Sequence, residues 1–234
     1  KGIKSVAITY VNSDYGLGLA DVYKAAVEAY GITVTTMASH ESDKADYSAD
    51  VGVLSSAGGD ALAVLGYLDN AGGHIIEGSL DSGAFDTFVL SDGMIGDSLT
   101  DRFGSDLNNS FGSMPGSLGE GAQLFKSVAE AGGVNASVYV GESYDAAALI
   151  VLAMQAGESS DKGSIAENIM SVANAPGEKI MAGEIAKGLK LLASGKEIDY
   201  QGATDVTFTD VGEAEGAFIE KGISGGKFTD VAQR

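Results

Sequence analysis

Cysteine is absent from the 234 residues, so neither disulfides nor thiol chemistry can operate, although that leaves the compartment open. Histidine occurs only twice, as His40 and His74, both in polar surroundings that read as solvated surface. Bases are scarce: 14 Lys and Arg against 33 Asp and Glu give a net charge of −19. A surface of that sign repels DNA, RNA and anionic lipid, which argues against nucleic-acid and membrane-surface roles. No apolar run reaches about 18 residues, so no membrane span is expected. The chain opens directly in a strand-like run, KGIKSVAITY, without export signal or initiator methionine. An exported protein shorn of its signal, or an internal fragment, begins this way.

What is present is apolar and periodic. Hydrophobic residues make up 44% of the chain, enough for a sizeable core in one large domain or two small ones. Ile3–Val11 reads as a buried strand, with Ser13 or Asp14 to cap the next helix and Gly31 to stop it. Strands follow at Ile32–Met37, Ala61–Gly66 and Asp86–Leu90. Helices at Tyr47–Ala57 and Asn70–Ser82 separate them. This alternation with short connections predicts an α/β fold, an open, mostly parallel sheet with helices on both faces. Phe111–Gly121 (FGSMPGSLGEG) reads as a boundary or crossover. Beyond it the pattern is helical at Glu120–Ala131, Ser143–Ala156, Ser164–Val172 and Glu184–Ala193, with no strong strand between Val140 and Val206. Short β segments return in the tail, over Val206–Thr209 and Gly216–Val231.

Catalytic motifs are lacking: there is no H-E-x-x-H and no G-x-S-x-G, and the acid in SLDS (Ser79–Ser82) has no histidine nearby. The acids Asp205, Asp210 and Glu213 read as a solvated face, since no twelve-residue calcium loop surrounds them. Asp145 reads as a first-turn helix residue facing the dipole. Tyr15-Gly16-Leu17-Gly18 carries G-x-G after a strand, but a dinucleotide fingerprint needs a small residue where Asp21 stands. In that reading the two glycines let the turn close. Tyr15, Tyr67 and Ser91-Asp92-Gly93 each follow a strand. In a parallel sheet those positions share the edge where ligands bind. Two aromatics and a carboxylate there suit a small ligand with a cationic group and an apolar part. Rim packing for the tyrosines, and a turn or cap for Asp92, are the plainer alternatives.

The stretches NSDYGLGLADVYKAAVEAYG, DKADYSADVGVLSSAGGDALAVLGY, FVLSDGM, ESYDAAALIVLAMQAG and VTFTDVGEAEGAF together resemble the type I periplasmic substrate-binding proteins of branched-chain amino-acid ABC transporters. The resemblance implies two α/β lobes that close on an amino acid. Residues 3–112 would be the second lobe, 115–212 the helical remainder of the first, and 213–234 a return to the second. It also implies that the family's opening segment, which forms the first lobe's sheet, has no counterpart here, so that the middle helices lack a sheet. It puts Tyr15, Tyr67 and Asp92 in the interlobe cleft, with the acid facing the ligand's ammonium and Ser91 and Gly93 beside it. Where relatives often carry two adjacent aromatics, this chain has Tyr67 and Leu68. An amino-acid-like ligand, a membrane permease as partner, no cofactor and a periplasmic or extracellular location follow from the same likeness. A ligand-sensing receptor ectodomain of this fold and a doubly wound enzyme are the alternatives.

Overall fold

A computed structural model describes residues 1–234. Contacts divide the chain into two compact units, Lys1–Met114 with Glu220–Ala232, and Pro115–Ile219 with Gln233–Arg234. The first is built on β1 (Ser5–Val11), α1 (Asp14–Ala29), β2 (Thr33–His40), α2 (Ser48–Ala57), β3 (Ala61–Leu65), α3 (Gly73–Ser82), β4 (Phe88–Leu90), α4 (Asp97–Phe103) and β5 (Phe111–Pro115). β1 pairs in parallel with β2 and β3, β3 with β4, and β4 with β5. All five residues of β3 and all three of β4 are buried, as strands covered on both faces must be. Along β1, Val6 and Ile8 join Ala61, Ala63 and Leu65 in a core that Leu19, Tyr23 and Val27 of α1 complete. The opposite face carries α2 and α3, where Val51, Leu54, Ile75 and Ile76 are buried.

Local chemistry sets the boundaries. Ser13 is the cap of α1, its hydroxyl accepting from the Gly16 amide at 3.2 Å. Gly31, at φ 77°, ends that helix, and the amides of Gly31 and Ile32 return to the carbonyls of Glu28 and Val27. Phe111–Gly121, expected as a boundary or crossover, holds the division between the two units after Met114 and also strand β5, in which Gly112 lies close against Leu90, where a side chain would collide. The expectation of solvated histidines fails for His40. The residue is 2% exposed, with Nδ1 2.8 Å from the Thr9 hydroxyl and Nε2 without a partner. Two further strands, β8 (Phe218–Ser224) and β9 (Lys227–Gln233), extend the sheet in the order β2-β1-β3-β4-β5-β8-β9. Gly225-Gly226, both at positive φ, turns β8 into β9.

The second unit holds α5 (Glu120–Ala131), α6 (Val140–Ala156), α7 (Lys162–Ala173), β6 (Glu178–Met181), α8 (Ile185–Ala193) and β7 (Ile198–Gly202). Strands β6 and β7 pair in parallel, which corrects the expectation of helices without a sheet. Ala148, Leu149, Leu152 and Ala153 of α6 pack with Val172, Ile180, Ile198 and Tyr200. Asp145 lies within α6 rather than in its first turn, and it is buried. It accepts from the Tyr200 hydroxyl (2.8 Å), the amides of Ala203 and Thr204 (both 2.8 Å) and the Thr204 hydroxyl (2.7 Å). Burial raises its carboxyl above the ordinary value, with these donors opposing. The other face of α6 is apolar and open: Ala146 and Ala147 are exposed, and Ile150 and Val151 are 44% and 42% exposed.

Two predictions follow from this burial. Leu152→Ala should cost roughly 2–5 kcal/mol in urea unfolding, while Ile150→Ala should cost roughly 0.5 kcal/mol or less. Equal losses would mean that the open face of α6 is covered after all. For His40, burial lowers the ring's pKa from 6.5 to about 4 against the pull of Asp50 and Glu41. Between those values the unfolded chain binds a proton that the folded chain excludes. The contribution is therefore intact above pH 6.5 and is lost as pH falls, on the order of 3 kcal/mol by pH 4. Urea midpoints of wild type and His40→Gln between pH 7 and 4 test this; parallel curves would refute it.

Candidate functional site

The strands β1, β3 and β4 end side by side, so the residues that follow them meet. Tyr15 opens α1, Tyr67 follows β3, and Asp92 begins a short 3₁₀ turn, Asp92–Met94, after β4. The Tyr15 hydroxyl donates to Asp92 Oδ1 at 2.6 Å, and its ring stacks on Tyr67 with centroids 5.3 Å apart and 25° between the planes. Gly93 donates its amide to the same Oδ1 at 2.9 Å. Ser91 is buried; its hydroxyl accepts from the Gly66 amide at 3.1 Å and donates to the Gly66 carbonyl at 3.2 Å. All five sequence-selected residues, Tyr15, Tyr67, Ser91, Asp92 and Gly93, thus fall in one cluster.

The electrostatics follow from this packing. Burial pushes the Tyr15 phenol up to about 12, and the hydrogen bond to Asp92 adds to that, so the hydroxyl stays protonated as a donor. Tyr67 remains 45% exposed, presenting ring surface outward. A carboxylate framed by two rings can hold an ammonium and cover an apolar side chain. The glycines of the opening loop separate in role. A side chain on Gly16 would collide with the Val11 carbonyl, whereas Gly18 faces open space. Only the first is needed for chain closure, so the G-x-G spacing has no joint purpose here.

Two residues of this edge escaped the sequence reading. Asn12 follows β1 and Glu41 follows β2, and Asn12 Nδ2 donates to Glu41 Oε1 at 2.7 Å. The rule of the first residue beyond a strand's carboxyl end would have found Asn12 but not Glu41, because the sequence pattern ends the second strand at Met37 whereas β2 runs on to His40. A concavity of about 430 Å³ lies between α2 and α3, lined by Tyr47, His74, Glu77 and Asp81 among others. It contains none of the clustered residues; its walls carry Lys44, Glu77 and Asp81 beside the stacked rings of Tyr47 and His74, whose centroids are 5.8 Å apart.

The comparisons agree with this architecture. Over 99% of its length the chain superposes on a leucine-binding protein from Thermotoga maritima, with TM-score 0.76 and 20% identity. A type 1 periplasmic binding protein from Bordetella pertussis gives TM-score 0.74 at 18% identity over 98% of the chain. This chain has the type I periplasmic-binding-protein fold. A third structure, the substrate-binding protein of a branched-chain amino-acid transporter from Streptococcus pneumoniae in complex with isoleucine, gives TM-score 0.71 at 18% identity over 99% of the chain. The chain spans 61%, 61% and 59% of these proteins, so it carries about three-fifths of their length. No family model matches the sequence, and no curated protein matches it.

Gly93 offers a test of the cluster. A Cβ there would meet the Gly66 carbonyl and stand 2.9 Å from the Tyr67 ring. Gly93→Ala should therefore separate Tyr67 from Tyr15, at a cost of roughly 1–3 kcal/mol, while the sheet stays folded. Ring-current shifts of the two tyrosines in NMR spectra report the separation; unchanged shifts would show that the contact is slack.

Proposed function

We propose that this chain is part of a solute-binding protein that takes a small amino acid, or a related amine- or amide-bearing solute, and delivers it to an ABC importer in the periplasm or outside the cell. One observation carries the reading: Tyr15, Tyr67 and Asp92 meet at the carboxyl edge of a parallel sheet, with Asp92 braced by the Tyr15 hydroxyl and the Gly93 amide. In this reading Asp92 pairs with the ligand's ammonium, and the two rings cover its side chain. Ser91 and Gly93 hold the wall in shape. The similar structures support it, since two of them are described as leucine-binding and as bound to isoleucine.

In this reading the wall belongs to a second lobe over residues 3–112 with a return segment, expected at 213–234, of which Glu220–Ala232 groups with that unit, and residues 115–212 belong to the first. Binding rather than catalysis is the role we assign. No helix is long and apolar enough to cross a membrane; the partner we assign for passage through the bilayer is a membrane permease.

The test is calorimetry of leucine, isoleucine and glycine on a protein that carries this chain within a complete two-lobed fold. Asp92→Ala should weaken binding of all three by roughly 2–5 kcal/mol, as when one partner of a buried charge pair is removed. Tyr67→Ala should weaken leucine and isoleucine more than glycine. Equal affinities for wild type and Asp92→Ala would remove Asp92 from the site, and a uniform loss in Tyr67→Ala would reduce that ring to a structural part.

A further inference from the structure

Behind the aromatic pair lies the buried histidine. His40 closes β2, and its ring packs on Gly66 so tightly that a Cβ on Gly66 would stand 3.2 Å from His40 Nε2 and 3.5 Å from Val11 Cβ. Gly66 is the residue whose amide and carbonyl the Ser91 hydroxyl clamps, and Tyr67 follows it directly. The ring that fills this slot is thus one residue removed from the Tyr15–Tyr67 stack.

We propose that His40 is the positioning residue of this wall: its neutral ring holds Gly66, and through it Ser91 and Tyr67, while a charged ring lets Tyr67 leave Tyr15. The inference rests on the reading of Tyr15 and Tyr67 as the binding wall. The neutral ring has one nitrogen engaged with the Thr9 hydroxyl at 2.8 Å and the other, Nε2, without a partner. Charging the ring puts a hydrogen on both nitrogens. Whichever nitrogen carries the hydrogen in the neutral ring, the cation presents Nε2–H as a buried donor with no acceptor, in a slot made by Gly66 and Val11. The charged groups around the ring are Asp50 on α2 and Glu41 and Lys44 in the loop after β2; Thr9 faces it from β1. Lys44 is already paired with Asp50 at 2.6 Å. An unpaired donor in that slot favours a ring position in which Nε2 reaches water or a carboxylate, and a ring that moves off Gly66 leaves the Gly66–Tyr67 peptide without its backing.

The experiment is an NMR titration of the isotope-labelled 234-residue chain from pH 7 to 4, without ligand, comparing wild type with His40→Gln. In wild type the His40 ring and the Gly66, Tyr67 and Ser91 amides should share one midpoint well below 6.5. Ring-to-ring Overhauser contacts between Tyr15 and Tyr67 should fade along the same curve. The Ala7 and Leu62 amides, deep in the sheet, should stay fixed over that range. His40→Gln should lose that midpoint at all three amides. A His40 ring that titrates while the three amides stand still would overturn the proposal. So would Ala7 and Leu62 moving with them, or an unchanged curve in His40→Gln. Should the variant not fold, the wild-type midpoints and the two sheet amides decide alone. No ligand enters the readout, so failure here leaves the amino-acid reading to its own test.

Discussion

Parallel pairing of β1, β3 and β4 is the constraint on which the site depends. Strands that run the same way must hand the chain to their loops at the same edge. Residues 15, 67 and 92, far apart in sequence, therefore arrive together without any further device. The sheet supplies the row, and the Ser91 hydroxyl fixes the spacing within it by meeting both the amide and the carbonyl of Gly66. Such a bridge ties the end of β3 to the end of β4 just where regular ladder bonding stops. The Tyr15 hydroxyl then binds α1 to the loop after β4 through Asp92. Each link uses a neutral donor on an oxygen acceptor, so the arrangement is formed before any ligand charge is present.

The second unit solves a different problem. Its parallel pair, β6 and β7, is joined through α8, and the turn after β7 is held by one carboxylate, Asp145, which reaches four donor groups. Burying an acid is costly, and a full set of donors is the usual way of offsetting that cost. The same helix therefore carries a polar anchor on its inner side and an aliphatic stripe on its outer side.

Much of this was legible. The three buried runs in β1, β3 and β4 and the positions just beyond them required only the strand pattern and the rule about parallel edges. The limits of α5 also matched, because Glu120 to Ala131 lies between glycines at both ends. What escaped was short or disguised. β5 is FGSMP, whose Gly, Ser and Pro read as a loop, yet the close approach of Gly112 to Leu90 is what a narrow strand position needs. β6 and β7, EKIM and IDYQG, have too few residues to show a period and carry charges at one end. α4 spans only seven residues and follows a run of turn-forming Asp and Gly. His40 sits in SHES, a polar neighbourhood in sequence, and only the register of β2 against β1 brings it over Thr9 and out of water. Asp145 was misplaced for a related reason: the helix starts at Val140, one turn earlier than its apolar run suggests.

The open stripe on α6 has a colloidal consequence. Ala147, Ile150 and Val151 make an exposed aliphatic stripe, and what keeps two copies apart over a distance is the charge of the molecule as a whole. At neutral pH that charge is −19, and like-charged molecules hold one another beyond the reach of an aliphatic contact. Salt shortens this reach to about 10 Å at 0.1 M, and acid abolishes it near the sequence isoelectric point of 4.2. The dispersion of the 234-residue chain is then a long-range property, set by acids spread over the whole surface, while the tendency to self-associate is local to one helix.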